Sequence, residues 1–337
     1  MRDSWTIASK VRFVLLALLH AGCVLGDSST ERDEPADDGK ADDSGDSAAL
    51  EPMPGARAHA GAVAGDDGRI YVFGGVATYQ RLFAALDVME VYDPTSGEWS
   101  LAAPMPSARH CMAAVATDLG QVIVIGGEHE EQFLDVVEIY DIATNSWTAG
   151  PRLDKERMGG GAVFCGGELY AVGGDPEATI ERYHPGGWEL VDTAMPTPRT
   201  DMQAVCVDDR IYVIGGIAGE GWTGAVESWD PKGGWRSEPA LPEPLKLPVA
   251  ATDLDGNIHV INENATYEFD RETQAWTSPG ERQHMPTPRH GTAFTRGSGD
   301  DPHLYAIGGD DHARKQVSAA LEVLDPRTQS WSTSEAD

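Results

Sequence analysis

Short apolar runs bounded by glycines and prolines recur along this chain at nearly regular intervals. Each run is rich in β-branched and aromatic side chains, as in Ile70 to Phe73, and most runs end at a Gly-Gly doublet such as Gly74-Gly75. Runs this short, with turn residues at their ends, are typical of buried β-strands rather than helices. The pattern therefore predicts an all-β protein.

The runs belong to a unit that is repeated six times. Each copy begins with a cation after a Pro-rich turn, and these cations are Arg57, Arg109, Arg157, Arg199, Lys246 and Arg289. Each copy ends on a tryptophan, and these are Trp99, Trp147, Trp188, Trp235, Trp276 and Trp331. The copies recur at roughly 40 to 50 residues, which is the spacing of propeller blades. The fifth copy is the least regular, because Asn262 and Glu263 stand where the other copies have glycines.

The six registered copies resemble the kelch family over residues 51–335. This resemblance implies a six-bladed kelch β-propeller with four antiparallel strands per blade. The approximate blades are 51–104, 105–153, 154–194, 195–241, 242–283 and 284–335. The first copy opens with a complete first strand and the last ends with the Trp331 strand. Each blade is therefore expected to form from contiguous sequence, without a strand swapped between blades.

The N-terminal residues have the features of an export signal. Residues 1–22 combine basic residues, a short apolar core and small residues before Cys23. This arrangement resembles a bacterial lipoprotein signal, whose cysteine is lipidated, although His20 stands where that motif prefers Leu. Residues 23–50 carry nine acidic residues and no aromatic one, so a disordered tether is expected. We expect a protein of the bacterial cell envelope that meets the membrane only through its lipid, with plain secretion as the alternative.

Three further cysteines, Cys111, Cys165 and Cys206, lie in the repeats. All three are assigned to the first strands of their blades and interpreted as buried, unreactive thiols. Cys165 and Cys206 hold nearly equivalent places on adjacent blades. A disulfide between them is the less favoured alternative.

The chain is strongly acidic, with a net charge of −30. Such a surface repels phosphate backbones and anionic headgroups, which argues against a nucleic-acid partner. We interpret the charge mainly as a source of solubility outside the cell. A monomer is expected.

Against this acidic background the repeat supplies a cation at the start of every blade. Ring closure would bring Arg57, Arg109, Arg157, Arg199 and Arg289 together, and head groups pointing into the channel mouth would bind a carboxylate or another anion. The alternative is structural, with each Arg bridging backbone carbonyls or an acid of the adjoining blade. The histidines that follow three of these cations, His59, His110 and His290, are interpreted as packing residues.

Segments that differ between copies are the second source of candidate residues, since binding residues are often found on loops carried by rigid scaffolds. The long segments after the glycines in the first and sixth copies should meet at ring closure. The candidate ligand-binding residues on such segments are Tyr79, Arg81, Phe83, His129, Trp222, His312 and Arg314. Trp222, flanked by glycines, would suit stacking on a sugar or anchoring a protein, or it packs on its own blade.

The sequence lacks motifs typical of metalloproteases, serine hydrolases and phosphate-binding loops. No catalytic residue, metal or cofactor is expected. The main hypothesis is a non-catalytic, envelope-anchored module that recognises a protein or glycan through loops on one propeller face. The kelch fold also includes exported six-bladed sialic acid mutarotases, so the alternative is a sugar-acid mutarotase-like enzyme that uses the Arg ring.

Overall fold

The computed structural model of this chain describes residues 50–78, 84–176, 178–262, 266–277, 284–311 and 314–334. Within these ranges the chain forms six four-stranded antiparallel sheets and three two-stranded hairpins. The predicted all-β, six-bladed propeller is therefore confirmed. The export signal, Cys23 and nearly all of the acidic tether lie outside the described residues.

Each blade contributes four strands in sequence order. Blade 1 has β1 (Gly61–Ala64), β2 (Ile70–Phe73), β3 (Met89–Asp93) and β4 (Glu98–Leu101). Blade 2 has β5 (Ala113–Ala116), β6 (Gln121–Ile125), a hairpin of β7 (Glu128–His129) and β8 (Gln132–Phe133), then β9 (Val137–Asp141) and β10 (Ser146–Ala149). Blade 3 has β11 (Gly161–Cys165), β12 (Glu168–Val172), β13 (Thr179–His184) and β14 (Gly187–Ala194).

The second half of the ring follows the same plan. Blade 4 has β15 (Gln203–Val207), β16 (Arg210–Ile214), a hairpin of β17 (Ile217–Ala218) and β18 (Gly221–Trp222), then β19 (Val226–Asp230) and β20 (Gly234–Ser237). Blade 5 has β21 (Val249–Thr252), β22 (Ile258–Ile261), β23 (Thr266–Asp270) and β24 (Ala275–Thr277). Blade 6 has β25 (Ala293–Arg296), β26 (Leu304–Ile307), a hairpin of β27 (Asp310–Asp311) and β28 (Gln316–Val317), then β29 (Leu321–Asp325) and β30 (Ser330–Thr333).

The first strand of every blade faces the central axis. Strands β1, β5, β11, β15, β21 and β25 contact one another in that order, and β25 contacts β1 to close the circle. Each sheet contains strands of a single repeat. The prediction of contiguous blades without a swapped strand is therefore confirmed.

The ring is closed by a short segment that precedes the first blade. The backbone N–H of Met53 donates to the carbonyl of Ala319 (2.8 Å), and that of Arg57 donates to Ser318 (3.1 Å). The Gly309 N–H of blade 6 in turn donates to the Arg57 carbonyl (2.8 Å). Residues 51–57, which we call the closing segment, thus join blade 6 to blade 1.

Four of the repeated tryptophans donate a hydrogen bond to the segment that precedes their blade. The indole Nε1 of Trp147 donates to the Ala103 carbonyl at the end of blade 1 (2.8 Å), and Trp188 donates in the same way to Pro151 (3.0 Å). In blade 1 the acceptor is Glu51 of the closing segment (2.9 Å). A large apolar ring with one donor suits this wedge between blades.

The glycine doublets allow the blades to approach one another closely. Gly74 has a φ of 65°, and a Cβ at this position would stand 2.5 Å from the carbonyl oxygen of Arg109 in the next blade. Any side chain would therefore be both strained and in collision with backbone. The doublet sets the spacing between neighbouring blades.

Apolar side chains of adjacent blades share their cores. Ile70 and Val72 of blade 1 pack in one buried cluster with Tyr305, Ile307 and Leu321 of blade 6. The described residues include no helix long and apolar enough to cross a membrane.

The cysteines correct the sequence-based assignment. Cys165 and Cys206 form a disulfide with their Cα atoms 5.5 Å apart, because β11 and β15 run side by side and carry the two residues at nearly equivalent positions. They are therefore not free thiols. Cys111 is free and half-buried, and it lies ahead of β5 rather than within it.

Candidate functional site

The five repeated arginines are buried inside their blades and do not face the channel. Arg109 has no exposed surface. Its Nη1 donates to the carbonyls of Gly126 (3.1 Å) and Val136 (3.2 Å), and its Nη2 forms a short ion pair with Glu138. Burial lowers the pKa of Arg109, and the charge and hydrogen bond of Glu138 oppose this shift.

The same pair is built in five of the six blades. The pairs are Arg57–Glu90, Arg109–Glu138, Arg157–Glu181, Arg199–Glu227 and Arg289–Glu322. Each acid lies on the third strand of the same blade, not on the adjoining blade as the structural alternative supposed. The prediction of a ring of cations at the channel mouth is therefore wrong. The five guanidinium groups instead bind carboxylates and backbone carbonyls.

The fifth blade replaces the ion pair by an uncharged leucine and tyrosine, and the tyrosine hydroxyl donates to Glu243 (2.9 Å). Leu245, four residues before β21, holds the position that Arg109 holds before β5, and it is 2% exposed. The Glu position of β23 is taken by Tyr267, which pairs with Val260 as Glu138 pairs with Val124. Lys246, which the sequence suggested as the cation of this copy, is one residue out of register.

The axis of the propeller holds a cavity of about 670 Å³. Its wall is formed mainly by small side chains of the six first strands, such as Ala62, Ala114 and Ala162. Phe164, Phe294 and Arg296 are larger exceptions. Its charged side chains are Asp66, Asp118 and Arg296, so the wall offers few groups for acid–base chemistry.

One end of this channel carries a ring of left-handed residues. Each ring residue stands two positions after the Arg position of its blade, with φ between 46° and 63°. The six are His59, Cys111, Gly159, Asp201, Leu247 and Gly291. Backbone hydrogen bonds join neighbours in the ring, as from Cys111 N–H to the His59 carbonyl (3.1 Å). We call this ring the channel mouth.

Histidines and acids meet the free cysteine at the channel mouth. His59 Nε2 lies 3.2 Å from Asp310 Oδ2, and His110 Nδ1 lies 3.3 Å from Cys111 Sγ. Burial alone would lower the pKa of His59, but interactions with Cys111 and Asp310 outweigh it and raise that pKa to about 10. Burial raises the pKa of Asp201, while the charge of His59 opposes the shift.

Sequence reasoning missed this cluster. It treated His59, His110 and His290 as packing residues and Cys111 as an inert thiol. The available signal was the position two residues after each repeated Arg, which varies among His, Cys, Gly, Asp and Leu while its surroundings repeat. A position that the framework leaves free to vary, at the axis of a ring, is where a site can be built.

Three hairpins rise on the same face as the channel mouth. Each begins by pairing with the residue after the Arg of its own blade, through the bridges His110–Glu128, Thr200–Ile217 and His290–Asp310. We call this surface the hairpin face. The turns between third and fourth strands lie on the opposite face, because those strands run antiparallel to each other.

The predicted loop residues have different surroundings on the hairpin face. His129 is partly exposed beside Glu130, and Trp222 is half-buried on β18, opposite Ile217. Arg314 is exposed and paired with Asp311 (3.1 Å). Tyr79, Arg81, Phe83 and His312 lie outside the described residues.

One group of side chains within the described ranges has the spacing of metal ligands. It consists of Asp253, His259 and Glu268 in blade 5. His259 holds the position that a tyrosine holds in the second strands of blades 1, 3, 4 and 6. Its Nε2 lies 2.9 Å from Asp253 Oδ2, just as the Tyr71 hydroxyl donates to Asp67 (2.8 Å). A framework hydrogen bond thus accounts for this group.

Family comparison agrees with this architecture. The kelch motif model matches residues 56–106, 109–153, 198–242 and 299–334. The chain belongs to the kelch family. The matched segments leave out most of blades 3 and 5, the blades with the shortest segments after their second strands.

Individual kelch relatives are similar over part of the chain. Kelch-like protein 35 of Mus musculus is 29% identical over 161 residues, which are 45% of this chain and 26% of that protein. Kelch-like protein 40 of Mus musculus is 37% identical over 112 residues, which are 33% of this chain and 17% of that protein. This chain thus matches about a quarter or less of the length of these relatives.

A solved structure is similar over nearly its whole length. The structure of YjhT aligns with a TM-score of 0.69 and 15% identity, covering 85% of this chain and 99% of that one. At this identity the likeness shows the fold alone.

Proposed function

We propose that this protein is a non-catalytic binding module of the bacterial cell envelope, anchored through Cys23, which recognises a protein through its hairpin face. The observation that carries the proposal is the set of three hairpins that project from blades 2, 4 and 6 around the channel mouth. A closed propeller holds such hairpins on a rigid frame, which limits the entropy lost on binding. The kelch relatives support a protein rather than a glycan as the partner.

The chemistry of the hairpin face favours a basic partner. Glu130 and Glu131 at the tip of the β7–β8 hairpin are exposed, and Glu220 is exposed beside β18. The net charge of −30 strengthens the attraction of any cationic surface at low salt. Trp222 lies at the edge of this acidic patch, and aromatic side chains of this kind often contribute much of the energy of protein binding.

An oxidising location is supported by the Cys165–Cys206 disulfide. Disulfides persist in exported proteins and are rare in the reducing cytosol. The disulfide is thus consistent with the export signal suggested by residues 1–22. We propose the outer side of a bacterial membrane as the site of action.

The sugar-acid mutarotase alternative is not favoured. It required a ring of free arginines at the channel mouth, and the five guanidinium groups are buried in ion pairs instead. An NMR measurement of sialic acid anomerisation at micromolar protein should give the uncatalysed rate. Anomerisation faster than the uncatalysed rate would support the mutarotase hypothesis.

The binding proposal is tested by capture from envelope extracts with matched substitutions on the two faces. Trp222→Ala and Glu130→Gln change the hairpin face, while Leu254→Ala and Glu272→Gln change an exposed apolar residue and an exposed acid in turns of the opposite face. We expect the hairpin variants to lose about tenfold or more of a saturable protein partner, or about 1.4 kcal/mol. Equal recovery with all four variants would contradict a role for this face, and recovery of a glycan alone would contradict a protein partner.

The anchor requires a separate measurement. Labelled palmitate should enter the wild-type chain and not Cys23→Ala, and the variant should leave the membrane fraction. Equal labelling of both would exclude Cys23 as the lipidated residue.

A further inference from the structure

The free thiol of Cys111 lies between two imidazole rings. Its Sγ is 3.3 Å from His110 Nδ1, and it also interacts with His59 through charge and a hydrogen bond. The rings of His59 and His110 meet edge to face, with centroids 6.4 Å apart. The thiolate is the nucleophilic form of cysteine, and imidazole groups are its usual partners in cysteine enzymes.

The side chain of His59 is held in place by Asp310 and by close packing against Gly291. Asp310, itself 5% exposed, accepts from His59 Nε2 at 3.2 Å. The ring also covers Gly291 so closely that a Cβ there would stand 2.8 Å from the His59 ring. A nucleophile, an imidazole and an orienting carboxylate in this order form the arrangement that activates cysteine in enzymes.

The protonation of His59 suits this arrangement. Although burial alone would lower it, the pKa of His59 is raised to about 10 by Cys111 and Asp310, so the ring is an imidazolium at neutral pH. His59 can therefore give up a proton to a leaving group.

The thiol opens onto a small cavity. The six residues of the channel mouth line a space of about 90 Å³ next to the main channel. This volume admits a molecule of a few heavy atoms. The second oxygen of Asp310, Oδ1, is buried and accepts no hydrogen bond from any described residue, which leaves an acceptor beside the imidazole.

We propose that Cys111 is a reactive thiol, activated by His59 and positioned by Asp310, which a small hydroperoxide oxidises to a sulfenic acid at the channel mouth. The thiolate sulfur attacks one peroxide oxygen, so that an S–O bond forms and the O–O bond breaks. Sulfur loses two electrons and the peroxide gains them. The departing hydroxide or alkoxide takes a proton from the His59 imidazolium and leaves as water or alcohol.

This modification site is independent of the binding proposal. Cys165 and Cys206 already form a disulfide, so Cys111 is the free thiol within the described residues. Oxidation would place a polar group inside the ring of hairpins. The chemistry does not require that any partner bind there.

The test follows the trapping of sulfenic acid on the full-length chain. Hydrogen peroxide is the oxidant, a cyclic 1,3-diketone traps the product, and peptide mass spectrometry separates Cys111 from Cys23. We expect Cys111 to be trapped at least about tenfold faster in the folded protein than in the urea-unfolded protein at the same pH. This comparison needs no variant, so it does not depend on the folding of a mutant.

Substitutions then assign the roles. His59→Gln and Asp310→Asn should bring the folded rate down to about that of the unfolded chain, and Cys111→Ser should remove the product. His303→Gln is the matched control, because His303 pairs with Asp301 at 2.7 Å in a turn of the opposite face. A folded rate no higher than the unfolded rate, or an unchanged rate in folded His59→Gln, would overturn the proposal.

Discussion

Blade 2 and blade 5 solve the same packing problem with opposite chemistry. Blade 2 buries the ion pair of Arg109 and Glu138, and blade 5 fills the corresponding positions with Leu245 and Tyr267. Both residues of the blade 5 pair are well buried and belong to one apolar cluster. The propeller therefore tolerates either solution, provided that both partners change together.

The physical reason is the cost of removing charge from water. A buried ion pair recovers this cost through its partner and its hydrogen bonds, whereas a single buried charge does not. The uncharged pair of blade 5 avoids the cost of burying charge, and the hydroxyl of Tyr267 keeps a hydrogen bond to Glu243. The repeated Arg is thus one of two ways to fill the space between the glycine doublet and the third strand. Its charge stabilises the folded blade through the ion pair with Glu.

The largest effect on the free energy of unfolding is expected when one partner of the buried Arg–Glu pair is removed. Arg109→Leu leaves Glu138 buried without its cation and should lower the free energy of unfolding by about 3–5 kcal/mol. Urea denaturation measures the change. The control is Arg152→Leu, which removes an exposed ion pair with Asp135 and should cost less than about 1 kcal/mol. Similar losses in the two variants would show that burial does not govern the Arg109 pair.

A smaller effect on the free energy of unfolding is expected from pH at the channel mouth, where blade 1 has His59 and blade 5 has Leu247. The folded pKa of His59 is about 10 and its usual value is 6.5, so its stabilisation is complete below pH 6.5 and is lost as pH rises through 10. The groups that face it are Cys111, His110, Asp201, Glu128 and Asp310.

Leu247 of blade 5 suggests the substitution His59→Leu as the test of this pH dependence. Relative to His59→Leu, the wild type should lose about 2–3 kcal/mol of unfolding free energy between about pH 7 and pH 9. Denaturant midpoints at several pH values measure the difference. Parallel pH profiles of the two proteins would contradict a protonated His59 in the folded state.

The smallest effect is expected when blade 2 is made to resemble blade 5. Arg109→Leu combined with Glu138→Tyr removes both charges, and the double variant should lie within about 1–2 kcal/mol of wild type. The double-mutant cycle gives the coupling energy directly. A double variant that is as unstable as Arg109→Leu alone would mean that the exchange in blade 5 depends on its other substitutions.

The architecture could be predicted from the sequence because its determinants are repeated. The tryptophans, the glycine doublets and the apolar strands each occur in at least five copies, and each has a local physical reason. The partner of Arg109 was harder to identify. Glu138 is 29 residues away, and only the pairing of β6 with β9 brings it beneath the guanidinium.

The channel mouth could not be predicted for a related reason. His59, Cys111 and Asp310 come from three places in the sequence, and Asp310 lies 251 residues from His59. They meet only when blade 6 closes on blade 1. Ring closure also explains the Cys165–Cys206 disulfide, because the side-by-side packing of first strands decides which cysteines are close enough to bond.

The closing segment has a mechanical consequence. Residues 51–57 hold blade 6 against blade 1 through hydrogen bonds from Met53 and Arg57, and the rest of the N-terminal chain is attached directly to them. Tension applied along that chain would load these bonds before any other part of the ring. Under a pulling force the seam between the first and last blades is therefore the place where the propeller should yield first.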